Sequence, residues 1–420
     1  MTVTLVPALP TLPVPARPDP LGVLGVPGEI NLDHAASAPC ARAAADAVAE
    51  LLPWYASVHR GAGALSRRCT LAYERARQAV GDFLGARPTD HVIFTRNTTD
   101  AVNLLARALP AGTTVVTFGG EHHANLLPWP RGSVRLPVPD SPAGAVRSLD
   151  AALGELARDA RPGLPVLVAV TGASNVTGEC WPAAELARVA HRYGARILVD
   201  AAQLAPHAPV DVTASDLDYV ALSGHKLYAP FGAGVLVGRA DWLDAAPPYL
   251  PGGGATAHVG AATHDVRWTT GPARHEGGTP NLLGAVALAA VGAALDAADR
   301  AALHAEEQAL LARLRTGLAA LPDVVELRAF GPDAPRVGIV SFVVAGRDSA
   351  EVAAHLARRR IGVRDGLFCA HPLTRRLLTE AAARSGRTDL PPTALRASIG
   401  LGTTAGEVDA LLTALATLPG

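Results

Sequence analysis

The stretch Ser223-Gly224-His225-Lys226-Leu227-Tyr228 holds the only lysine of the chain. Lysine and arginine together number 37, so every other basic position is arginine. A chain that places arginine wherever a positive charge suffices keeps one lysine where it needs a primary amine. A guanidinium stays protonated and is a poor nucleophile, whereas a buried ammonium can lose its proton and add to a carbonyl. A surface charge that escaped a codon bias is the alternative. Against it, Lys226 follows an apolar run and sits in a Ser-Gly-His turn, not on a charged helix face. The cofactor that an amine in such a place suggests is pyridoxal 5′-phosphate (PLP).

Working outward, the flanks read as alternating strands and helices. Apolar, β-rich runs lie at 91–95, 114–118, 166–170, 196–199, 219–222 and 234–238, with amphipathic segments between them. One of these, Pro182 to Tyr193, has proline at its start and Gly194 just past its end, as a crossover helix should. This alternation predicts an α/β fold with a mainly parallel central sheet and helices on both faces, binding its ligand at the carboxyl ends of the strands.

Three segments are expected along the chain. Residues 1–28 carry seven prolines and read as an extended arm. Residues 29–300 form the large domain that holds Lys226. After about residue 300 the texture changes to long Ala/Leu/Arg helices and then a strand-like run at 337–344, which predicts a smaller α+β domain over 301–420.

Composition narrows the function. With 37 basic against 38 acidic residues there is no electrostatic reason to expect nucleic acid or an anionic membrane as partner. The run Arg358-Arg359-Arg360 reads as the basic end of a helix. No transmembrane span or secretory leader is legible, so a cytoplasmic location is expected. Cys40, Cys69, Cys180 and Cys369 are widely spaced and include no CxxC pair, which argues for free thiols and against a disulfide framework or a metal site.

The residues with chemistry to offer fall at predicted strand ends. Thr98 and Thr99 open a helix after the strand at 91–95 and are phosphate candidates, or helix caps. Asp200 closes the strand at 196–199 and can pair with a pyridinium nitrogen, or cap a turn. His122 and His123 follow the strand at 114–118, where a flat imidazole can stack on an aromatic cofactor and shuttle protons.

These pieces together resemble a known family. Glu121-His122-His123-Ala124-Asn125 with Pro128-Trp129, Ser174-Asn175-Val176, Asp200-Ala201-Ala202-Gln203, Ser223 to Tyr228 and Gly278-Thr279-Pro280-Asn281 are similar to the class V aminotransferase superfamily of PLP fold type I. Within it they are most similar to the group II cysteine desulfurases and selenocysteine lyases. The resemblance implies that Lys226 binds the cofactor covalently, Asp200 pairs with its ring nitrogen and His122 stacks on its ring. It places Asn175 and Gln203 near the phenolic oxygen, and Thr99, Ser223 and His225 on the phosphate. Thr279 would reach in from the second subunit of a homodimer, and Arg396 would grip the substrate carboxylate.

Val363-Arg364-Asp365-Gly366-Leu367-Phe368-Cys369 resembles the loop that carries the persulfide-forming cysteine. The family's two imidazoles before that cysteine are replaced here by Leu367 and Phe368, and apolar neighbours disfavour a thiolate. The segment from Cys369 to Arg396 also looks longer than usual, with extra residues around 381–392. The implied activity is removal of sulfur from L-cysteine to give L-alanine and a Cys369 persulfide, with a sulfur-acceptor protein as possible partner. A class V aminotransferase, an epimerase or a C–S lyase that does not use Cys369 remains the alternative. A PLP-binding scaffold without turnover is a further one.

Overall fold

The computed structural model describes residues 21–159, 164–262 and 264–418. Seven strands build the main sheet: β1 (Asp90–Thr95), β2 (Thr114–Phe118), β3 (Val134–Leu136), β4 (Val166–Thr171), β5 (Arg196–Asp200), β6 (Tyr219–Ser223) and β7 (Gly234–Arg239). Their spatial order is β1-β7-β6-β5-β4-β2-β3. The pairs among β6, β5, β4, β2 and β3 are parallel, and β7 is antiparallel to both β6 and β1. Six strands therefore run one way and β7 alone runs back. The carboxyl ends of β1, β2, β4, β5 and β6 consequently lie along one edge of the sheet.

The unbroken apolar runs follow from burial on both faces. Val116, Val168, Val170, Ile197, Val199, Val220 and Leu222 join one buried cluster, while their neighbours Val115, Leu167, Ala169, Leu198, Tyr219 and Ala221 join another. Successive side chains point to opposite faces, so a run such as Val166-Leu-Val-Ala-Val-Thr171 must satisfy two helical layers at once. The crossover helix expected at 182–193 is Ala183–Arg192.

A second sheet has β8 (Val324–Leu327), β9 (Ile339–Val344), β10 (Arg364–Gly366) and β11 (Ala394–Ser398) in the order β8-β9-β11-β10, all antiparallel. Its core gathers Phe342, Leu356, Leu395 and Leu411 with Leu32 from the start of the chain. The strand pair Ile30–Asn31 with Ile361–Gly362 delivers Leu32 there.

Of the arm expected at 1–28, residues 1–20 lie outside the described residues. Residues 21–28 are tied down: Leu24 N–H donates to the Cys40 carbonyl and Arg42 N–H to the Gly22 carbonyl, both at 2.8 Å. Leu21 is buried in the main core. Residues 21–28 are therefore packed against the main core ahead of the first strand, which begins at Ile30.

Among the described residues no single helix is long and apolar enough to cross a membrane. The apolar helix Leu282–Asp296 is buried against Ala64–Phe83 and Arg42–Leu51, and it meets Arg300–Ala319 at a 92° bend.

Candidate active site

The shared carboxyl edge of the sheet opens on a cavity of about 310 Å³. Its lining includes Thr98, Thr99, His122, Asn175, Asp200, Ser223, His225, Lys226, Cys369 and Arg396. Ten predicted site residues thus meet in one place. Two others do not line it. Gln203 is buried and donates from its amide to the Ala35 carbonyl at 2.7 Å, so it holds up the wall formed by Ala35 and Ala36. Thr279 lines a different cavity, of about 490 Å³, with His59, Arg60 and Glu276.

Lys226 leaves β6 through a tight turn. Gly224 donates to Ala233 O at 2.7 Å and accepts from Ala229 N at 2.8 Å. A Cβ on Gly224 would lie 2.7 Å from Ala233 O, so this close approach needs glycine. Burial drives the Lys226 amine down to about 8 from 10.5, although Asp200 opposes the shift. Asp200 is pushed up by burial, with Lys226 pulling the other way, and its Oδ1 accepts from Ala202 N at 3.0 Å. An amine held near neutrality beside a buried carboxylate is prepared for carbonyl chemistry.

His122 caps the short helix His123–Leu126, with Nδ1 accepting from Ala124 N at 3.0 Å. Burial, and then the charge of Lys226, lower its pKa to about 3, so the ring is a neutral, flat surface with its proton on Nε2. Behind it Glu121 is fully buried and raised to about 8 by desolvation. It accepts from Asn125 Nδ2 at 2.8 Å and Thr171 N at 3.0 Å, which fixes the end of β2 against β4.

At the opposite wall the helix Thr98–Ala108 begins, with Asn97 as its cap. Thr98 N and Oγ1 lie 2.8 and 2.7 Å from Ser223 Oγ, so two hydroxyls and a helix N-terminus converge.

Arg396 comes from the second sheet and is 3% exposed. Its Nη1 donates to Asn175 O at 2.9 Å and its Nη2 to Asp33 Oδ1 at 3.2 Å. Its Nε is buried without a hydrogen-bond partner. Arg364 stands opposite it in the β10–β11 register and donates to Asp33 Oδ2 at 3.0 Å. One carboxylate therefore holds two guanidiniums side by side.

Cys369 is exposed. The apolar residues before it do not enclose the thiol. Phe368 sinks into a cluster with Val138, Val176, Leu327 and Leu373, against which Leu367 also packs. The Arg396 guanidinium carbon lies 5.1 Å from the Phe368 ring centre. Residue-by-residue reading gave no role to Asp33, Arg364 or Phe368. Their signal is spatial, since Asp33 is separated from Arg396 by 363 positions.

The residues present fit PLP. The unpaired Arg396 Nε is the kind of buried donor that a substrate carboxylate satisfies. The Thr98–Ser223 corner suits a phosphate, Asp200 a ring nitrogen and Lys226 a carbonyl carbon. Fold and site together define an enzyme of the PLP-dependent α/β type. The chain belongs to the Aminotransferase class-V family, whose model matches residues 30–411.

Among curated relatives, the cysteine desulfurase of Dickeya dadantii strain 3937 is 38% identical over 400 residues, covering 91% of this chain and 90% of that protein. The probable cysteine desulfurase of Synechocystis sp. is 35% identical over 377 residues, covering 85% and 86%. Among solved structures, the apo cysteine desulfurase from Thermococcus onnurineus NA1 matches with a TM-score of 0.79 at 32% identity, over 92% of this chain and 94% of that one. The S-sulfonic acid form of the Escherichia coli cysteine desulfurase CsdA matches at 0.76 and 31%, with the same coverage.

Proposed function

We propose that the protein is a PLP-dependent cysteine desulfurase that takes sulfur from L-cysteine, releases L-alanine and leaves a persulfide on Cys369. The observation that carries this reading is that Lys226, Asp200, His122, Arg396 and Cys369 line one cavity. Relatives named cysteine desulfurases, at 35–38% identity over most of the chain, support it.

PLP, when bound, supplies a carbonyl for an amino group and a ring that accepts electrons. Lys226 would hold it covalently, Asp200 its ring nitrogen and His122 its ring face. Thr98, Thr99, Ser223 and His225 would hold its phosphate, with Asn175 towards its phenolic oxygen and Gln203 supporting the wall at Ala35. The Lys226 amine would serve as the base for the substrate Cα proton, a task that its lowered pKa of about 8 suits. Arg396 binds the substrate carboxylate. Cys369 as thiolate attacks the substrate sulfur: an S–S bond forms, the Cβ–S bond breaks, and its electron pair stays on carbon, which is protonated to give alanine.

Residues 29–300 act as the cofactor domain in this reading. Residues 301–420 act as a smaller domain that brings Arg396 and Cys369. The enzyme works as a cytoplasmic homodimer in which Thr279 completes the partner subunit's phosphate site, and the exposed Cys369 hands sulfur to an acceptor protein.

The test is product analysis with L-cysteine. Cys369→Ala is expected to abolish persulfide formation and most alanine release while L-cysteine still perturbs the cofactor spectrum. Alanine release at the wild-type rate would move the reading to a lyase or aminotransferase on the same scaffold. Mixing Lys226→Ala with Thr279→Ala subunits should restore one intact site per heterodimer, and full PLP affinity in a monomer would contradict the dimer.

A further inference from the structure

The positions before Cys369 hold no imidazole, yet two imidazoles meet beside it. His371 stands two residues on, at the start of the helix His371–Ser385, and His123 comes from the segment after β2. Their ring centres are 4.6 Å apart with planes at 71°, an edge-to-face contact. His123 also clasps the cysteine's own backbone. Its N–H donates to the Cys369 carbonyl at 2.7 Å, and its Nε2 accepts from the His371 N–H at 3.4 Å. That acceptance leaves the His123 proton on Nδ1.

Burial and then the adjacent His371 make His123 harder to protonate. His371 is the member of the pair that is exposed to water. The other charged or titratable groups lining the cavity with Cys369 are His122, His225, Lys226, Arg364, Arg396 and Asp200, with Asp33 between the two arginines. Three of these are cations, and burial lowers both histidines. Asp200 is buried and paired electrostatically with Lys226. His371 is thus the exposed imidazole nearest in sequence to the thiol, and an imidazole is a ready proton acceptor. Among the described residues no group of three or more His, Cys, Asp or Glu could hold a metal ion, so the pair and Cys369 do not make up a metal site.

We propose that His371, oriented by His123, accepts the Cys369 thiol proton in place of the imidazoles missing from positions 367 and 368. The inference rests on Cys369 being the sulfur nucleophile. In the step the S–H bond breaks, the proton passes to a ring nitrogen of His371, and the electron pair stays on Sγ, ready to bond to the substrate sulfur. The new imidazolium meets the neutral His123 ring edge to face, and the N-terminal end of the helix His371–Ser385 favours the nearby anion. His371 is the proton acceptor and His123 a positioning residue.

The test is alkylation by iodoacetamide of the PLP-loaded enzyme without substrate, from about pH 5.5 to 9.5, read by peptide mass mapping at Cys369. His371→Gln and His371→Asn are each expected to slow alkylation about tenfold at pH 7, the equivalent of one pH unit. Their rates should rejoin the wild type by about pH 9.5, where free thiols ionise unaided. The kcat for alanine release should fall in parallel with KM for L-cysteine unchanged, and His123→Gln should give a smaller change of the same form. Alkylation profiles of both His371 variants that superimpose on the wild type would overturn the proposal. Failure of the desulfurase reading looks different: Cys369→Ala would release alanine at full rate, while the alkylation profiles would still separate.

Discussion

The Asn175 side-chain amide donates to the Phe368 carbonyl at 2.7 Å, tying the turn after β4 to the loop that carries Cys369. On the other side of the same loop the His123 N–H holds the Cys369 carbonyl. Between these two bonds the backbone is in the left-handed region, with φ of 52° at Phe368 and 51° at Cys369. Such a conformation costs side-chain-bearing residues about 1 kcal/mol or more each, so it persists because neighbours impose it.

The first prediction concerns that tether. Asn175→Ala removes a buried bond worth about 1 kcal/mol and should let the loop relax from its left-handed turn. Amide hydrogen exchange at residues 367–370 is expected to quicken several-fold, while exchange in β4 and β5 stays as it was. Unchanged protection across the loop would mean that Phe368 burial alone holds it.

Lys226 makes a prediction about pH. Its folded pKa of about 8 lies below the free value of 10.5, so between those limits the unfolded chain binds more protons. The stability of cofactor-free protein should therefore rise with pH across that window, as the penalty for a buried ammonium disappears. Relative to Lys226→Met, which carries no such charge, the wild type should gain on the order of 3 kcal/mol from pH 8 to 10.5. Denaturant melts of the two proteins at several pH values measure the difference, and parallel curves would show that the amine is not buried as described.

The strands of the main sheet were legible because both their faces are buried, which forces continuous apolar runs such as Arg196-Ile-Leu-Val-Asp200. Lys226, Asp200 and His122 were legible because each stands where such a run stops. The strand Val134–Leu136 was not, since only its middle residue is exposed and three residues at a sheet edge leave no pattern. Nor was the reversal of β7, because strand direction leaves no trace in composition. Phe368 reads in sequence as an apolar neighbour of the thiol; only the positive φ at Gly366 and the left-handed turn at Phe368 and Cys369 send the ring into the core. The His123–His371 contact joins positions 248 residues apart and has no local signal at all.

A third prediction addresses the join between the two sheets. Glu179 is fully buried and accepts from Thr177 Oγ1 at 2.7 Å, Phe330 N at 2.8 Å and Arg336 Nη2 at 2.9 Å. Removing Glu179 leaves the Thr177 hydroxyl and the Phe330 N–H without their acceptor and Arg336 with only Glu326, at 3.1 Å, as its carboxylate, so Glu179→Ala should cost about 3–5 kcal/mol, visible as a lower midpoint in denaturant. The double change Glu179→Leu with Arg336→Met should cost less than either single one, because it removes both buried charges while Glu326 keeps Arg315 as its partner at 3.2 Å. A single variant as stable as the wild type would show that the pair is hydrated in solution.

Phe368 supplies the last prediction, because two separate functions meet on its ring. One face fills the cluster of Val138, Val176, Leu327 and Leu373, and the Arg396 guanidinium lies 5.1 Å from the ring centre. Phe368→Ala should leave a cavity costing about 3–5 kcal/mol and free Arg396 from one of its supports. The KM for L-cysteine is then expected to rise together with a fall in kcat, since the carboxylate grip and the placement of Cys369 loosen at once. Phe368→Leu refills most of the volume but offers no ring face, so it should recover stability and kcat while KM stays raised. Leu367→His, by contrast, leaves the ring in place and should not raise KM. Kinetics and denaturant melts on the three variants separate packing from the cation–ring contact. A Phe368→Leu enzyme with a wild-type KM would show that Arg396 is positioned by Asn175 and Asp33 without help from the ring.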